Sequence, residues 1–206
     1  MRYKLLKSVK LPFLKYKRIN LPFENQMNRV LLIVALFFVG CLAACQKSTE
    51  FGSVQYKAQA AKDDAIVSQY IKDNNLTAVA KRANDTSGVY YIVIDPGAGT
   101  TLFTTSTQVT VGDTGRVITK GLIGNGSLFY ETQEFHPTYS LGSVILGWQL
   151  GIPMVLTGGE VRLLIPSRYA YGPVAHPELN QYELSKTGLP ANSILDFRIR
   201  LYDVIN

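Results

Sequence analysis

The segment around Trp148, the only tryptophan of the chain, restricts the fold more than any other part of the sequence. A glycine-containing apolar run precedes the tryptophan. The pair Gly158-Gly159 then turns the chain into Glu160–Ile165, whose alternating apolar residues predict a half-buried strand. Tyr169 and Tyr171 follow directly after that strand. This order predicts a pocket with an aromatic floor and tyrosine hydroxyls at its rim. Because the segment contains no nucleophile–base pair and no metal-binding cluster, we expect a site that works without covalent chemistry.

The positive charge of the chain is concentrated at its start. The whole sequence has 21 Lys and Arg against 15 Asp and Glu. Residues 1–29 hold eight of the basic side chains and one of the acidic ones, which leaves 13 basic and 14 acidic residues in the remainder. A protein that binds nucleic acid needs a cationic surface to contact the phosphates. We therefore expect no nucleic acid partner.

Residues 30–44 form a short apolar run that follows the basic residues and ends in Leu-Ala-Ala-Cys45. A charged start, a short hydrophobic run and small residues before a cleavage point are typical of a signal peptide, whereas a membrane-spanning helix needs about 20 residues. We therefore predict a signal peptide over residues 1–44. Its end resembles a bacterial lipobox, which implies cleavage before Cys45 and lipid attachment to that cysteine. The alternative is an ordinary signal peptide with chance cysteines.

The start of this signal peptide is unusually long. Met27 and Arg29 lie just before the apolar run, as at a conventional N-terminus. We therefore interpret residues 1–26 as an extension that precedes the true start of translation. Lipid on Cys45 would attach the protein to the bacterial cell envelope, at the outer membrane, on its periplasmic or surface side. Cleavage would leave Cys45 as the only cysteine, and no disulfide is expected within the chain.

The rest of the chain divides into a linker, a helical segment and a strand-rich domain. The polar residues 45–57 predict a tether between the lipid and the domain. The segment over residues 58–84 begins with an amphipathic pattern that predicts a helix from Ala58 to Asn75. The apolar face of this helix is expected to hold Ile66, Tyr70 and Ile71, packed on a sheet.

The predicted domain covers residues 85–206 and is mostly extended. Alternation of apolar residues and turn signals at its boundaries indicate the strands. They are predicted at residues 89–94, 107–111, 115–122, 161–165 and 194–204, with one short helix at 148–156.

Three motifs follow one another in this domain. The first is Val-Ile-x-Gly-Trp at residues 144–148, and the second joins Gly158-Gly159 to Ile-Pro and Ala-Tyr-Gly at residues 165–172. The third is Leu-Pro-x-Asn-Ser-x-Leu-x-Phe at residues 189–197. Together they resemble FKBP-type peptidyl-prolyl cis-trans isomerases, over Gly112 to Val204. The resemblance implies an α+β fold in which a curved antiparallel β-sheet wraps over one short helix, here with an N-terminal helical extension.

The resemblance also implies a pocket for a proline ring, and from it we predict four catalytic and five substrate-binding residues, of which Tyr130 departs from the family pattern and either supplies a hydroxyl or fills the mouth of the pocket. The catalytic group is Trp148 as the floor, Phe129 and Phe197 as walls and Tyr171 as a hydroxyl donor; the substrate-binding group is Val144, Ile145 through its backbone N–H, Tyr130, His176 and Leu189. Proline-containing unfolded or folding polypeptides are the implied partners, and no cofactor or metal is implied. We expect Tyr139 in the core, a lid over residues 177–188 that carries Tyr182, and a monomer.

Two residues depart from the family pattern. Family members carry Val-x-Tyr-x-Gly and, further on, Phe-Asp, and this tyrosine and aspartate form a polar edge of the pocket. Aligned on Val117 and Gly121, this chain has Thr119 in place of the tyrosine and Tyr130 in place of the aspartate. The resemblance thus implies a prolyl isomerase that assists the folding of exported proteins. The departures favour a weakly active or inactive module that binds unfolded segments, and a filled pocket would leave a purely structural envelope protein.

Overall fold

Seven strands and two α-helices occur among residues 47–119, 121, 126–179 and 188–206, which are the residues that the computed structural model describes. Residues 53–206 form one compact unit, and every contact discussed below lies within it. In chain order the elements are α1 (Lys47–Asp73), β1 (Lys81–Arg82), β2 (Tyr90–Asp95), β3 (Gln108–Ile118), β4 (Ser127–Glu131), β5 (Thr138–Ser140), α2 (Leu146–Gly151), β6 (Glu160–Ile165) and β7 (Ile194–Ile205), with short 3-10 turns at Leu141–Ser143, Ile152–Met154 and Ser167–Tyr169.

The strands form one antiparallel sheet in the order β1-β2-β6-β7-β3-β4. Strand β7 pairs with β3 along the full length of β3. The other edge of β3 is shared, because β5 pairs with residues 108–110 and β4 pairs with residues 114–117. The strand-rich chain with few helices that the sequence pattern predicts, and the antiparallel sheet that the resemblance implies, are therefore confirmed.

The main core covers one face of this sheet, and helix α2 packs on it. Gly147 and Gly151 stand one helical turn apart on α2 and approach the side chains of Ile165 and Leu163 so closely that a Cβ atom at either glycine would overlap them. The two glycines therefore let the helix lie directly on β6. This close contact places Trp148 against the core, where its side chain is buried.

Helix α1 packs on the opposite face of the sheet. Neighbouring strand residues point to opposite faces, and Leu164 joins the α1 cluster while its neighbours on β6 join the main core. As predicted, Tyr70 and Ile71 lie on the buried face of the helix, and Ile66 is half-buried beside them. The fully buried Val67 was not predicted.

The structure corrects the predicted boundaries of the helices. Helix α1 begins at Lys47 instead of Ala58, so most of the predicted tether is helical. Once a helix is nucleated, each added residue gains one hydrogen bond, and polar residues without an apolar period can extend it. The predicted helix at residues 148–156 is α2 followed by the 3-10 turn Ile152–Met154, which contains Pro153. Proline lacks the N–H that a continuing α-helix needs.

The predicted strands at 107–111 and 115–122 are one continuous strand, β3, because Gly112 and Asp113 pair with β7 despite their low strand propensity. That strand ends at Ile118, and residues 122–125 lie outside the described part of the chain. The short strands β4 and β5 were not predicted.

Candidate functional site

A cavity of about 330 Å³ opens between helix α2 and the edge of the sheet formed by β3, β4 and β5. Seven of the nine predicted catalytic and substrate-binding residues line it. These are Phe129, Tyr130, Val144, Ile145, Trp148, Tyr171 and Phe197, and the other described residues that line it are Asp113, Tyr139, Ser143 and Leu179.

Aromatic rings build the floor and walls of this cavity. The Trp148 ring meets Phe197 edge-to-face, with centroids 5.1 Å apart, and Tyr139 in the same manner at 6.1 Å. Phe197 in turn meets Phe129 at 5.7 Å. Such edge-to-face contacts fix ring orientation as well as burying apolar area. The four rings therefore form a rigid apolar surface.

Gly115 on β3 makes room for two of these rings. A Cβ atom at this position would lie 2.7 Å from Cε1 of Phe197 and 2.9 Å from Cε1 of Phe129. Any side chain here would push at least one ring out of place. Glycine at this position therefore leaves the space that the two rings need to form the wall of the pocket.

Tyr171 reaches the cavity from the loop that follows the 3-10 turn Ser167–Tyr169. The N–H of Gly172 donates to the carbonyl oxygen of Ser167 at 2.9 Å, and the φ of +71° at Gly172 favours glycine. Burial, and after it the negative charge of Asp113, raises the pKa of Tyr171. The hydroxyl of Tyr171 consequently stays protonated at neutral pH and can donate a hydrogen bond.

Tyr130 and Tyr139 add two further hydroxyls to the cavity. Burial raises the pKa of Tyr139, and a hydrogen bond with the Tyr130 hydroxyl raises it further. Tyr139 was expected in the core, and it does pack against the core and on Trp148, but its side chain also lines the cavity. Alternating residues in β5, a strand of three residues, gave no sequence signal for this position.

Among the described residues, Asp113 is the one carboxylic acid that lines the cavity, and sequence reasoning missed it. Its side chain is 4% exposed, and neither carboxyl oxygen has a hydrogen-bond partner among the described residues. Burial raises the pKa of this carboxyl to about 7. Its backbone is held firmly, since its N–H donates to Oγ1 of Thr132 at 2.8 Å and its carbonyl accepts from the N–H of Thr132 at 3.0 Å.

The position of Asp113 corrects the alignment on which Thr119 was chosen. Thr119 is exposed, follows the end of β3 and does not line the cavity. The same Val-x-Tyr-x-Gly pattern fits residues 111–115, with Asp113 at the place of the tyrosine. Tyr130 still stands at the place of the aspartate and does line the cavity. The tyrosine and the aspartate of the pattern have therefore exchanged places, and the pocket keeps both kinds of side chain.

His176 and Leu189 do not line the cavity. They form a two-residue antiparallel bridge, with N–H to carbonyl distances of 2.8 and 2.9 Å. Leu189 is buried in the core, and His176 pairs with Glu178 through Nδ1 at 2.8 Å. The two residues thus close the base of the segment predicted as a lid, of which residues 180–187, with Tyr182, lie outside the described residues. Leu179, just beyond this bridge, contacts the cavity instead.

Comparison with known sequences agrees with the family resemblance of the three motifs. Residues 105–202 match the family model of the FKBP-type peptidyl-prolyl cis-trans isomerase. FK506-binding protein 1 of Saccharomyces cerevisiae is 36% identical over 115 residues, which is 54% of this chain and 88% of that protein. The FKBP-type peptidyl-prolyl cis-trans isomerase FkpA of Buchnera aphidicola (subsp. Schizaphis graminum) is 34% identical over 122 residues. That match covers 58% of this chain and only 42% of the length of the relative.

Solved structures show the same fold. The crystal structure of FkpA from Escherichia coli aligns with a TM-score of 0.53 and 23% identity, and the match covers 90% of this chain and 83% of that one. A peptidyl-prolyl cis-trans isomerase from Pseudomonas syringae aligns with a TM-score of 0.55 and 23% identity, over 73% of this chain and 96% of that one. At this level of identity the likeness concerns the fold.

Proposed function

This chain belongs to the FKBP-type peptidyl-prolyl cis-trans isomerase family, and on that basis we propose that it accelerates the isomerisation of X-Pro bonds in unfolded or folding polypeptides. The observation that carries the proposal is the cavity in which Trp148, Phe129 and Phe197 surround a space of about 330 Å³ with Tyr171 at its side. A proline ring is apolar and fits such a surface, and the tyrosine hydroxyl can bind a neighbouring carbonyl.

The reaction proposed for this cavity is rotation about one bond, the C–N bond that precedes proline. The conjugated peptide bond opposes rotation with a barrier of about 18–20 kcal/mol, so uncatalysed X-Pro exchange takes tens to hundreds of seconds. In the twisted transition state the conjugation is lost and the C–N unit becomes less polar. An apolar cavity that excludes water stabilises this state relative to the planar amide.

Hydrogen-bond donors hold the substrate during the rotation. Tyr171 supplies a hydroxyl that burial keeps protonated, as its raised pKa indicates. The backbone N–H of Ile145 is the predicted second donor, and this residue directly precedes α2 at the cavity wall. Fixed donors accelerate a reaction when they bind the transition state better than the ground state. The mechanism requires no cofactor.

The direct test measures isomerisation of a blocked peptide with one X-Pro bond by the purified protein. We expect clear acceleration that falls strongly in Trp148→Leu and Tyr171→Phe. The matched control is Tyr169→Phe, which changes a tyrosine of the same loop that does not line the cavity. If the folded protein gave no acceleration, or if all three variants behaved alike, the isomerase proposal would be wrong.

The exchange of residue types at Asp113 and Tyr130 favours a second candidate, a binding module with weak or no activity that holds unfolded chains. An ionised Asp113 would make the pocket less suited to a twisted amide while still allowing peptide binding. This alternative predicts that the protein suppresses aggregation of an unfolded client and that Trp148→Leu abolishes the suppression. It would replace the first proposal if binding were found without catalysis.

We also propose that a lipid on Cys45 attaches the protein to the bacterial cell envelope. The support is the sequence alone, because Cys45 lies outside the described residues. No helix in the part of the chain that the structure covers is long and apolar enough to cross a membrane. Mass spectrometry of the mature N-terminus tests the proposal. Cys45→Ser should remove the lipid and release the protein from membranes, whereas Cys41→Ser, which changes the other of the two cysteines in the sequence, should leave both unchanged.

A monomer remains our proposal for the assembly. The apolar face of α1 is covered by its own sheet, where Val67 and Tyr70 are buried. That face is therefore not available to a second helix. Light scattering on the purified protein measures the mass directly, and a dimer at micromolar concentration would contradict the proposal.

A further inference from the structure

Asp113 places an unpaired carboxyl group in the wall of the cavity. The side chain is 4% exposed, and within the described part of the chain neither oxygen has a hydrogen-bond partner. The indole Nε1 of Trp148 is a second buried polar atom of the same cavity without a partner there. Native proteins rarely leave buried polar groups unpaired, so two such groups in one cavity call for a partner that enters it. The Asp113 backbone is fixed by Thr132, so the carboxyl is presented in a defined position.

The surroundings of Asp113 favour its neutral form. Aromatic rings and hydroxyl groups face it inside the cavity, and burial is what raises its pKa. The charged side chains near this part of β3 line a neighbouring groove, which Asp113 also borders and in which Glu160 pairs with Arg198 and Arg200. Among the described residues, the titratable groups that face Asp113 inside the cavity are Tyr130 on β4, Tyr139 on β5 and Tyr171, which lies against His176. Those in or beside the groove are Glu131, Glu160, Arg198, Arg200, Tyr202 and His136.

The peptide bond on which the proposed function acts determines whether the protonated or the ionised carboxyl of Asp113 can bind the substrate. A peptide bond that precedes proline has a carbonyl oxygen but no N–H. A carboxylate ion facing that bond would meet only acceptors, whereas a protonated carboxyl carries an O–H that can donate. The unpaired Trp148 N–H is likewise a donor. Both unpaired groups therefore suit a ligand that offers carbonyl oxygens.

We infer that Asp113 binds substrate as a protonated acid, donating a hydrogen bond to a carbonyl oxygen of the bound X-Pro segment, so that its ionisation weakens both binding and catalysis. This inference rests on the proposed isomerase function. It makes Asp113 a catalytic residue at the polar edge of the pocket, alongside Tyr171. It also gives the protein a dependence on pH that Tyr171 alone would not produce, because the pKa of that hydroxyl is raised.

The test compares the pH profiles of kcat/KM for the full protein and two variants, with a blocked X-Pro peptide free of Tyr and Trp. Between pH 6 and pH 8 the acid fraction of a group that titrates at about 7 falls about tenfold, and we expect the activity to fall with it. Asp113→Asn keeps an N–H donor at every pH, so its profile should be flat and exceed the wild type at pH 8. Asp113→Ala should be flat and low. A wild-type profile that is flat or rises with pH would overturn the inference, as would an unchanged fall in Asp113→Asn.

Two controls separate this titration from others. His176 lies against Tyr171 with ring centroids 5.0 Å apart and is paired with Glu178, and histidines titrate near 6.5. His176→Asn must retain the fall, and loss of the fall in that variant would assign it to His176 instead. Far-UV circular dichroism at each pH must show the same folded state, since unfolding at high pH would mimic the effect.

Failure of the isomerase function can be told apart from failure of this inference. Trp148 is the only tryptophan and lies in the cavity, so its fluorescence reports peptide binding. If no catalysis were seen at any pH, the proposed function would be wrong, and the same pH series read as peptide affinity would decide on Asp113. Affinity that falls from pH 6 to pH 8 in the wild type but not in Asp113→Asn would support the inference, and any other pattern would refute it.

Discussion

The carboxylate of Asp63 on α1 accepts two hydrogen bonds from Ser167, one from its backbone N–H at 3.0 Å and one from its Oγ at 2.6 Å. Asp63 is fully buried, and its other oxygen accepts from Nε2 of Gln59 at 2.6 Å. Ser167 begins the 3-10 turn that leads to Tyr171. The helix that precedes the domain therefore holds the loop that carries a hydroxyl of the pocket.

Replacing Asp63 should weaken both the fold and this loop. In Asp63→Ala the N–H and hydroxyl of Ser167 remain buried without their acceptor, and hydrogen bonds to charged groups contribute about 1.5–3 kcal/mol each. We expect the free energy of unfolding to fall by about 2–4 kcal/mol in urea titrations, with faster amide exchange at residues 167–172. Lys62→Ala, at the exposed neighbouring position, should change stability by less than about 0.5 kcal/mol. Equal effects of the two variants would show that the contact contributes nothing specific.

A second contact between α1 and the sheet joins three polar side chains. Arg162 donates to both oxygens of Asp196, at 2.6 and 2.9 Å, and to the Tyr70 hydroxyl at 2.9 Å. Burial raises the pKa of Tyr70 to about 12, so its hydroxyl stays protonated and donates to Asp196 at 3.2 Å. Each group thus has a partner on another element.

A substitution that leaves a charge unpaired should cost more unfolding free energy than one that removes a neutral hydroxyl. Tyr70→Phe leaves the ion pair of Arg162 and Asp196 intact, so it should cost about 0.5–1.5 kcal/mol of unfolding free energy. Asp196→Ala leaves the partly buried Arg162 without its counter-charge, for which about 3 kcal/mol or more is expected. Tyr56→Phe, on the exposed part of α1, serves as the control and should cost nothing measurable. Chemical denaturation of the three variants checks this order, and a larger loss in Tyr70→Phe than in Asp196→Ala would contradict it.

The sequence predicted those parts of the site that depend on short-range spacing. Trp148 and Tyr171 stand in local motifs whose residues lie on single elements, and the structure brings both to the cavity. Asp113 was missed because Val-x-x-x-Gly occurs twice, at residues 111–115 and 117–121. Only the pairing of β3 with β4 and β7 distinguishes the two registers, and strand pairing is not local in sequence.

The contacts of α1 were unpredictable for a related reason. Asp63 and Ser167 are 104 residues apart, and a buried aspartate in a helix looks in sequence like any exposed one. The same limit applies to His176 and Leu189, whose bridge depends on the length of the segment between them. Periodicity did predict the buried face of the helix, since Tyr70 and Ile71 are both buried.

The raised pKa of Asp113 gives a stability prediction that is independent of activity. Its pKa is about 7 in the folded protein against 3.8 for the ordinary carboxyl, so between these values the folded state binds more protons than the unfolded state. The stability that Asp113 contributes as an acid is fully present below pH 4 and is lost as the pH rises through about 7. Asp113→Asn should therefore be more stable than the wild type above pH 7, by about 2–4 kcal/mol.

Urea denaturation at several pH values measures this difference. The gain of Asp113→Asn over the wild type should grow from pH 4 to pH 7, then stay constant, and it should be small below pH 4. Glu131→Gln changes a half-buried carboxylic acid that lies outside the cavity. This control variant should not show a gain in stability that grows from pH 4 to pH 7. A constant difference over the whole range would mean that Asp113 does not titrate abnormally.

Two glycine-to-alanine substitutions in helices should act in opposite directions. Alanine is favoured over glycine inside a helix by about 1 kcal/mol. At Gly52 on α1 the added Cβ would have no described atom within 4 Å apart from its chain neighbours and the backbone of its own helix, so Gly52→Ala should raise helicity without loss of stability. At Gly151 on α2 the Cβ would overlap the side chain of Leu163. Overpacking of a core costs about 1–3 kcal/mol, and since Trp148 lies on the same helix, Gly151→Ala should also shift its fluorescence. Leu163→Val in the Gly151→Ala background should recover part of the loss, and stabilisation by Gly151→Ala alone would show that α2 does not depend on this close contact.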